Sequence, residues 1–343
     1  MTHLLVAAAL TAMTVSAVGL QAPAAVTEAP PAERPSFDVW LQTLRADAVA
    51  AGISEATLAA ALADLVPLPV AVERDRAQPE AVLTVDRYIE RRLTRAFVRT
   101  AAGMARTHRR LLDRVGEAYG VQPRFIVAIW GLESNFGRFS GVRPTVQALA
   151  TLAWDGRREA LFRAELLHAL RILDAGYIGL GAMKGSWAGA MGQPQFMPSS
   201  YLRFAEDFDG DGLRDIWSSH ADVFASIANY LRQHGWSNRE TWGREVRLPP
   251  GGADRLMAEV GRRQTGCRAE REMSQPAPLA RWHAIGVRSA NGANLPDVDR
   301  DAALVPAGAR AFLVYGNYQA LLGYNCAHAY ALSVGLLADR IGS

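Results

Sequence analysis

The sequence predicts an α+β protein, mainly α with a small β subdomain, and three observations carry that expectation. The chain has 343 residues, 50% apolar and 21% charged, which is ordinary globular composition with length for about two domains. From Phe37 to about His234 apolar residues recur mostly at helical spacing. After Trp236 the character changes, and Gly, Pro and short apolar runs such as Phe312-Leu313-Val314-Tyr315 read as short strands.

The elements follow in order. Phe37, Trp40, Leu41 and Leu44 open the first helix, and Ser54 is placed to cap the Ala/Leu helix that runs toward Leu65. Pro67 and Pro69 break the chain. From Glu80 to Tyr119 apolar positions alternate with Arg and Glu at helical period, predicting two helices. Pro123 stands where a first helical turn accepts proline, so a helix runs on from Arg124 to Ser134. Another covers Arg157 to Ala175. A Gly-rich loop spans Gly179 to Pro198, and an Asp/Gly loop spans Asp207 to Asp215. Helices from about Asp222 to His234 and from Ala327 to Ile341 complete the reading.

Charge narrows the function classes. Lys+Arg number 37 against 34 Asp+Glu, and Lys184 is the only lysine. No dense basic stripe exists for a phosphate backbone, so no nucleic-acid partner is expected. Two cysteines, Cys267 and Cys326, are too few for a cysteine-framed zinc site. At the N-terminus the uncharged run from Leu4 to Leu20 is short for a membrane span. Small residues at Val15 and Ala17, or Ala22 and Ala24, offer cleavage geometry, so residues 1–22 read as a secretory signal peptide. The weakly charged start leaves an uncleaved anchor open. Residues 23–35 form a Pro/Ala-rich linker, and no cysteine near the start invites a lipid anchor. Export would put Cys267 and Cys326 in an oxidising compartment. An even pair then allows a disulfide, with two separate buried thiols as the alternative.

Three segments could carry chemistry. Glu133 follows Phe125 and Ile129 at i−8 and i−4, so it leaves its helix on the apolar face and in the last turn. Desolvation and the helix dipole both favour a raised pKa, which suits a general acid. The plainer alternative is a buried glutamate paired with Arg138 or Arg143. Next, the loop from Lys184 to Pro198 is rich in small residues, with Ser186, Gln193 and Gln195 to bond neutral hydroxyls and amides. Trp187 and Phe196 there offer ring faces to sugars. The order Lys184-Gly185-Ser186 excludes a P-loop. The third segment, Asp207 to Asp215, has carboxylates at loop positions 1, 3, 5 and 9 and Gly at 6, as in the front of an EF-hand. It lacks the closing glutamate, because position 12 is Ser218; a solvated Asp-Gly turn is the alternative reading.

Taken together, Ala128-Ile129-Trp130-Gly131-Leu132-Glu133-Ser134-Asn135-Phe136-Gly137, the Gly185–Tyr201 loop and Asp207–Trp217 resemble the lytic murein transglycosylase B family (glycoside hydrolase family 103). The resemblance runs from about Phe37 to the C-terminus. It implies a lysozyme-like helical core that cleaves the β-1,4 MurNAc–GlcNAc bond of peptidoglycan without water, leaving 1,6-anhydro-MurNAc ends. Glu133 falls on the family's single catalytic glutamate, acting as acid and then base. Ser186, Gln195 and Phe196 fall in the glycan cleft, and Tyr230, Tyr324 and Asn325 match further cleft positions. Asp207, Asp209, Asp211, the carbonyl of Leu213, and Asp222 fall on a calcium loop, with an apparent extra residue after Trp217 shifting the register of Asp222. The implied organisation is an N-terminal helical subdomain (36–120), a lysozyme-like catalytic core (121–236), a small β-containing subdomain (237–318) and a C-terminal helix completing the core (319–343).

No cofactor is expected for catalysis, with Ca2+ as a structural ion. The implied partners are peptidoglycan strands and, within wall assembly, cell-wall synthesis proteins. The implied location is the periplasm, in soluble form. A goose-lysozyme-like hydrolase, a non-catalytic wall-binding protein and a calcium sensor remain as rival readings.

Overall fold

The computed structural model describes residues 34–77 and 84–342. The expected signal peptide and nearly all of the expected linker lie outside the described residues. From Phe37 onward the chain forms one compact unit.

Its first layer is α1 (Phe37–Ala50), α2 (Glu55–Leu62) and α3 (Pro69–Arg76). Ser54 caps α2 by accepting from the Thr57 N–H at 3.2 Å. Next come α4 (Val85–Arg92), α5 (Arg95–Thr107) and α6 (Arg109–Tyr119). The two helices expected before Tyr119 are therefore three among the described residues. Thr94 accepts from the Phe97 N–H and starts α5 afresh, a cap hidden in a periodic stretch.

Helix α7 (Pro123–Ser134) runs through the middle and is buried from Phe125 to Leu132. A helix apolar all round has to be central. β1 (Arg143–Pro144), α8 (Thr145–Asp155), α9 (Glu159–Asp174), β2 (Lys184–Gly185), α10 (Pro198–Phe204) and α11 (His220–Gln233) follow. Sequence reading missed α8, which begins directly after Pro144 with no side-chain cap.

After Trp236 come β3 (Gly243–Arg247), α12 (Gly252–Val260), α13 (Arg268–Arg271), β4 (Ala277–Pro278), α14 (Leu279–Ala284), β5 (Arg288–Ser289), β6 (Asp301–Ala307) and β7 (Arg310–Val314). The region is thus richer in helix than expected. Its strands form an antiparallel sheet in the order β4-β6-β7-β3-β5, with Leu304 opposite Leu313 and Val305 opposite Phe312. Ala303, Val305, Phe312 and Val314 point into the helical core, while Ala302, Leu304, Ala311 and Leu313 face α12 and α14. Burial on both faces explains the unbroken apolar run at 312–315.

Helices α15 (Gly316–Tyr324) and α16 (His328–Gly342) meet at a bend of 120° and pack back on the core. Among the described residues no single helix is long and apolar enough to cross a membrane. One apolar cluster joins α4–α7, α11, α15, α16 and the sheet; a second joins α1–α3 with α8–α10.

Candidate active site

Glu133 is the next-to-last residue of α7, one and two turns beyond the fully buried Ile129 and Phe125. Its side chain is only partly exposed. Tyr330 of α16 and Tyr324 at the end of α15 flank the carboxyl, and Arg92 approaches from the end of α4. Burial pushes the Glu133 pKa up to about 7, while the Tyr330 hydroxyl and the Arg92 charge pull the other way. Tyr330 is 5% exposed, and its hydroxyl faces Glu133 without a well-formed hydrogen bond to any described neighbour. Arg138 and Arg143 are both exposed; the cation felt at Glu133 is Arg92.

The chain leaves α7 through two left-handed residues, Asn135 (φ 51°) and Phe136 (φ 60°). The Phe136 ring folds back over Gly131, where a Cβ would meet it at 2.5 Å. Ser134 is fully buried and bonded to the backbone. Its Oγ donates to the Trp130 carbonyl at 3.1 Å and accepts from the Gly137 N–H at 3.0 Å.

The loop from Lys184 to Pro198 folds onto this end of α7. β1 and β2 pair antiparallel, and Gly141 lies so close to Gly185 that a Cβ would fall 2.1 Å from its backbone. Ser186 Oγ accepts from the N–H groups of Ala188 (3.3 Å) and Ala190 (3.1 Å), shaping the turn. Gln193 is fully spent: it accepts from the Trp130 indole at 2.6 Å and donates to the Trp217 carbonyl at 2.8 Å. Gln195 is held left-handed at φ 53°, and its amide donates to the carbonyls of Gly192 (2.8 Å) and Ser140 (3.4 Å). A non-glycine residue in that region stores strain and marks a position worth attention.

An aromatic row links this loop to Glu133. Tyr324 stands 6.3 Å from Tyr330, 4.6 Å from Tyr230 and 5.9 Å from Phe196, ring centre to ring centre. The Tyr324 hydroxyl donates to the Pro194 carbonyl at 2.7 Å and that of Tyr230 to the Gly323 carbonyl at 2.6 Å. Phe196, at 2% exposure, packs beneath the row instead of offering an open ring face. Asn325 caps α15 and is exposed. The fold therefore gathers Glu133, Phe196, Tyr230 and Tyr324 by direct packing, with Ser186, Gln195 and Asn325 on the adjoining segments. Sequence reading missed Arg92 and Tyr330.

Residues 36–339 match the family described as Transglycosylase SLT domain. The chain belongs to this family. Over 126 residues it is 44% identical to the membrane-bound lytic murein transglycosylase B of Escherichia coli (strain K12). That stretch is 36% of this chain and spans only 35% of the relative's length. The SltB3 structure from Pseudomonas aeruginosa in complex with NAG-anhNAM-pentapeptide is 42% identical, with a TM-score of 0.82 over 90% of this chain and 80% of that one. The E. coli Slt35 structure in complex with calcium is 26% identical, with a TM-score of 0.72 over 91% of this chain and 94% of that one.

In this family member a separate carboxylate cluster lies on the loop between α10 and α11. Asp207, Asp209 and Asp211 are exposed and each brings an oxygen within 4.8 Å of the other two. Three hard oxygens at that spacing suit one calcium ion, whose ligands lie about 2.3–2.6 Å away. Asp207 shapes the loop by accepting from the N–H groups of Gly210, Asp211 and Gly212. Asp222, fully buried in the first turn of α11, accepts from the N–H groups of Phe208 and Asp215, both at 2.8 Å, and so clasps the two ends of the loop. Burial nevertheless raises its pKa to about 6. The Leu213 side chain is exposed.

Cys267 and Cys326 are joined as a disulfide with Cα atoms 6.4 Å apart. Cys267, in the region read from sequence as strand-like, caps the short helix α13. Cys326 sits at the α15–α16 bend, two positions beyond Tyr324.

Proposed function

We propose that the protein is a lytic transglycosylase of peptidoglycan, cutting the β-1,4 bond between MurNAc and GlcNAc with Glu133 as acid and then base. The observation that carries this reading is a lone carboxyl whose burial holds its pKa near 7, at the end of an aromatic row. Ordinary glycosidases use two carboxylates, one of which activates water or attacks the sugar. Among the described residues no second carboxylate acts on Glu133.

The chemistry then closes on one residue. Protonated Glu133 gives its proton to the glycosidic oxygen, the C1–O bond breaks and GlcNAc leaves with a free 4-hydroxyl. The O6 hydroxyl of MurNAc attacks C1, and its proton returns to the Glu133 carboxylate. No water is consumed and the acid is restored. Ser186, Gln195, Tyr230, Tyr324 and Asn325 would line the glycan path, with Phe196 supporting it. The family match and the relatives' likeness, one bound to a glycan fragment with an anhydro sugar, support the assignment.

Asp207, Asp209 and Asp211 would hold a structural Ca2+ in an EF-hand-like loop, with the Leu213 carbonyl beside them and Asp222 beneath. The ion would stiffen the loop and take no part in proton transfer. Peptidoglycan as substrate places the work in the periplasm. Digestion of purified sacculi followed by mass spectrometry tests the reaction. Products ending in 1,6-anhydro-MurNAc are expected; reducing ends would make the enzyme a hydrolase, and no release would leave a binding protein.

A further inference from the structure

The guanidinium of Arg92 donates to the carbonyl of Leu132, the residue immediately before Glu133. This bond meets a need of the helix. The last four carbonyls of an α-helix lack an intrahelical partner, and the negative end of the dipole lies there. At the end of α7 the Asn135 N–H returns to Gly131 and the Phe139 N–H to Ser134, both at 2.9 Å, while Arg92 serves Leu132. Among the described residues the other titratable groups acting at this site are phenols: Tyr330 from α16, Tyr324 from α15, and beyond Tyr330 the ring of Tyr88 on α4. Tyr324 and Tyr330 stay neutral, because burial pushes their pKa values well above the ordinary range. Arg92 is therefore the one full charge acting on the acid among the described residues.

We propose that Arg92 is a positioning residue for the reaction, fixing the end of α7 through the Leu132 carbonyl and setting, by its charge, how readily Glu133 gives up and recovers its proton. The proposal rests on Glu133 being the acid–base residue. That residue must be an acid in one half of the cycle and a carboxylate in the other. Desolvation and the helix dipole favour the acid alone. A cation at the helix end favours the carboxylate, so the two halves are brought closer in energy. Arg92 is itself exposed, so water screens part of its effect. Its charge should move the Glu133 pKa by about 0.5–1 unit, less than the shift at a buried pair.

Two variants separate the bond from the charge. Arg92→Gln keeps an N–H for the Leu132 carbonyl but carries no charge; Arg92→Lys keeps the charge without the fork. The reading is a carbon-13 NMR titration of the Glu133 carboxyl in each full-length protein, beside the pH profile of kcat/KM on sacculi. In Arg92→Gln the titration and the alkaline limb should both move up by about 0.5–1 pH unit, and in Arg92→Lys both should stay near wild type. A limb and titration unmoved in Arg92→Gln, or moved equally in Arg92→Lys, would overturn the proposal and leave Arg92 a helix cap. The NMR titration needs no turnover, so the two failures are distinguishable: an unresponsive Glu133 in an active enzyme overturns this proposal alone, whereas an inactive wild type sinks the transglycosylase reading and the proposal with it.

Discussion

Glu133 and the acidic loop are both carboxylate sites, and they are built on opposite plans. At Glu133 one carboxyl is packed against Tyr324, Tyr330 and the apolar face of α7, and burial keeps its proton on near neutrality. At the loop, Asp207, Asp209 and Asp211 stand together in solvent. Asp207 turns both oxygens onto its own loop's N–H groups, and Asp209 accepts from the Ser219 hydroxyl at 2.6 Å. Removing a lone carboxylate from water costs free energy that taking up a proton avoids. Three solvated carboxylates repel one another, and a divalent cation relieves that repulsion. On the function proposed above, burial suits the first to proton chemistry, and crowding suits the second to a metal. Asp222 shows what separates them: it too is buried, but two backbone N–H groups occupy it, so it acts as a clasp.

Removing the proton carrier should have the largest effect. Glu133→Gln keeps the shape of the side chain and should lower kcat on sacculi by about 10²–10⁴-fold, with glycan binding retained in a pull-down. Activity within about threefold of wild type would put the acid elsewhere. The pH profile sharpens the same side of the comparison. Because free enzyme must start protonated, kcat/KM should fall about tenfold per unit above roughly pH 7. A fall beginning near pH 4–5, the ordinary glutamate range, would mean that burial does not hold the proton.

The loop is expected to respond to metal in stability and not in proton chemistry. At 100 times its Kd, calcium should add about 2.7 kcal/mol, a rise in Tm of about 5 °C or more, reversed by a chelator. Asp209→Ala with Asp211→Ala should erase that response and leave the pH limb in place. A melting curve indifferent to chelator would make the loop a plain solvated turn.

The last effect concerns the cost of the buried acid, which shows only as a difference between two pH values. Glu133 has its folded pKa raised from 4.5 to about 7, so it is protonated in both states below about pH 4.5 and costs nothing there. As pH rises toward 7 the unfolded chain ionises and the folded one resists, so the native state loses stability. Well above pH 7 that loss approaches about 3 kcal/mol. Denaturant unfolding should therefore show Glu133→Gln more stable than wild type at pH 8 and nearly equal at pH 4. A gain equal at both values would trace to packing and not to charge.

How much of this was legible in the sequence divides along the same line. Glu133, α7 and the acidic loop were readable because each lies in one continuous segment, where periodicity and spacing speak directly. Helix α7 begins at Pro123 as its sequence implies. Arg92 and Tyr330 were not readable, since they approach Glu133 only through the packing of α4 and α16 on α7. The sequence instead offered Arg138 and Arg143, close along the chain, and the left-handed turn at Asn135 and Phe136 carries that stretch away to the surface. Gln193 looked like a ligand group by its chemistry, yet a buried indole and a carbonyl had prior claim on it. The helices among the strands escaped notice because α13 and α14 are too short for a period to register.

The bend between α15 and α16 has a consequence in time. Tyr324 ends the first of these helices and Tyr330 lies just inside the second, so the walls that dry Glu133 come from a single late corner of the chain. Without that corner the end of α7 would face water, and Glu133 would have the acidity of an ordinary glutamate. Only when the corner docks does the carboxyl lose its solvent and gain its altered proton affinity. The raised proton affinity of Glu133 therefore depends on the last two helices of the chain, and a chain that stops short of them would carry the carboxyl without it.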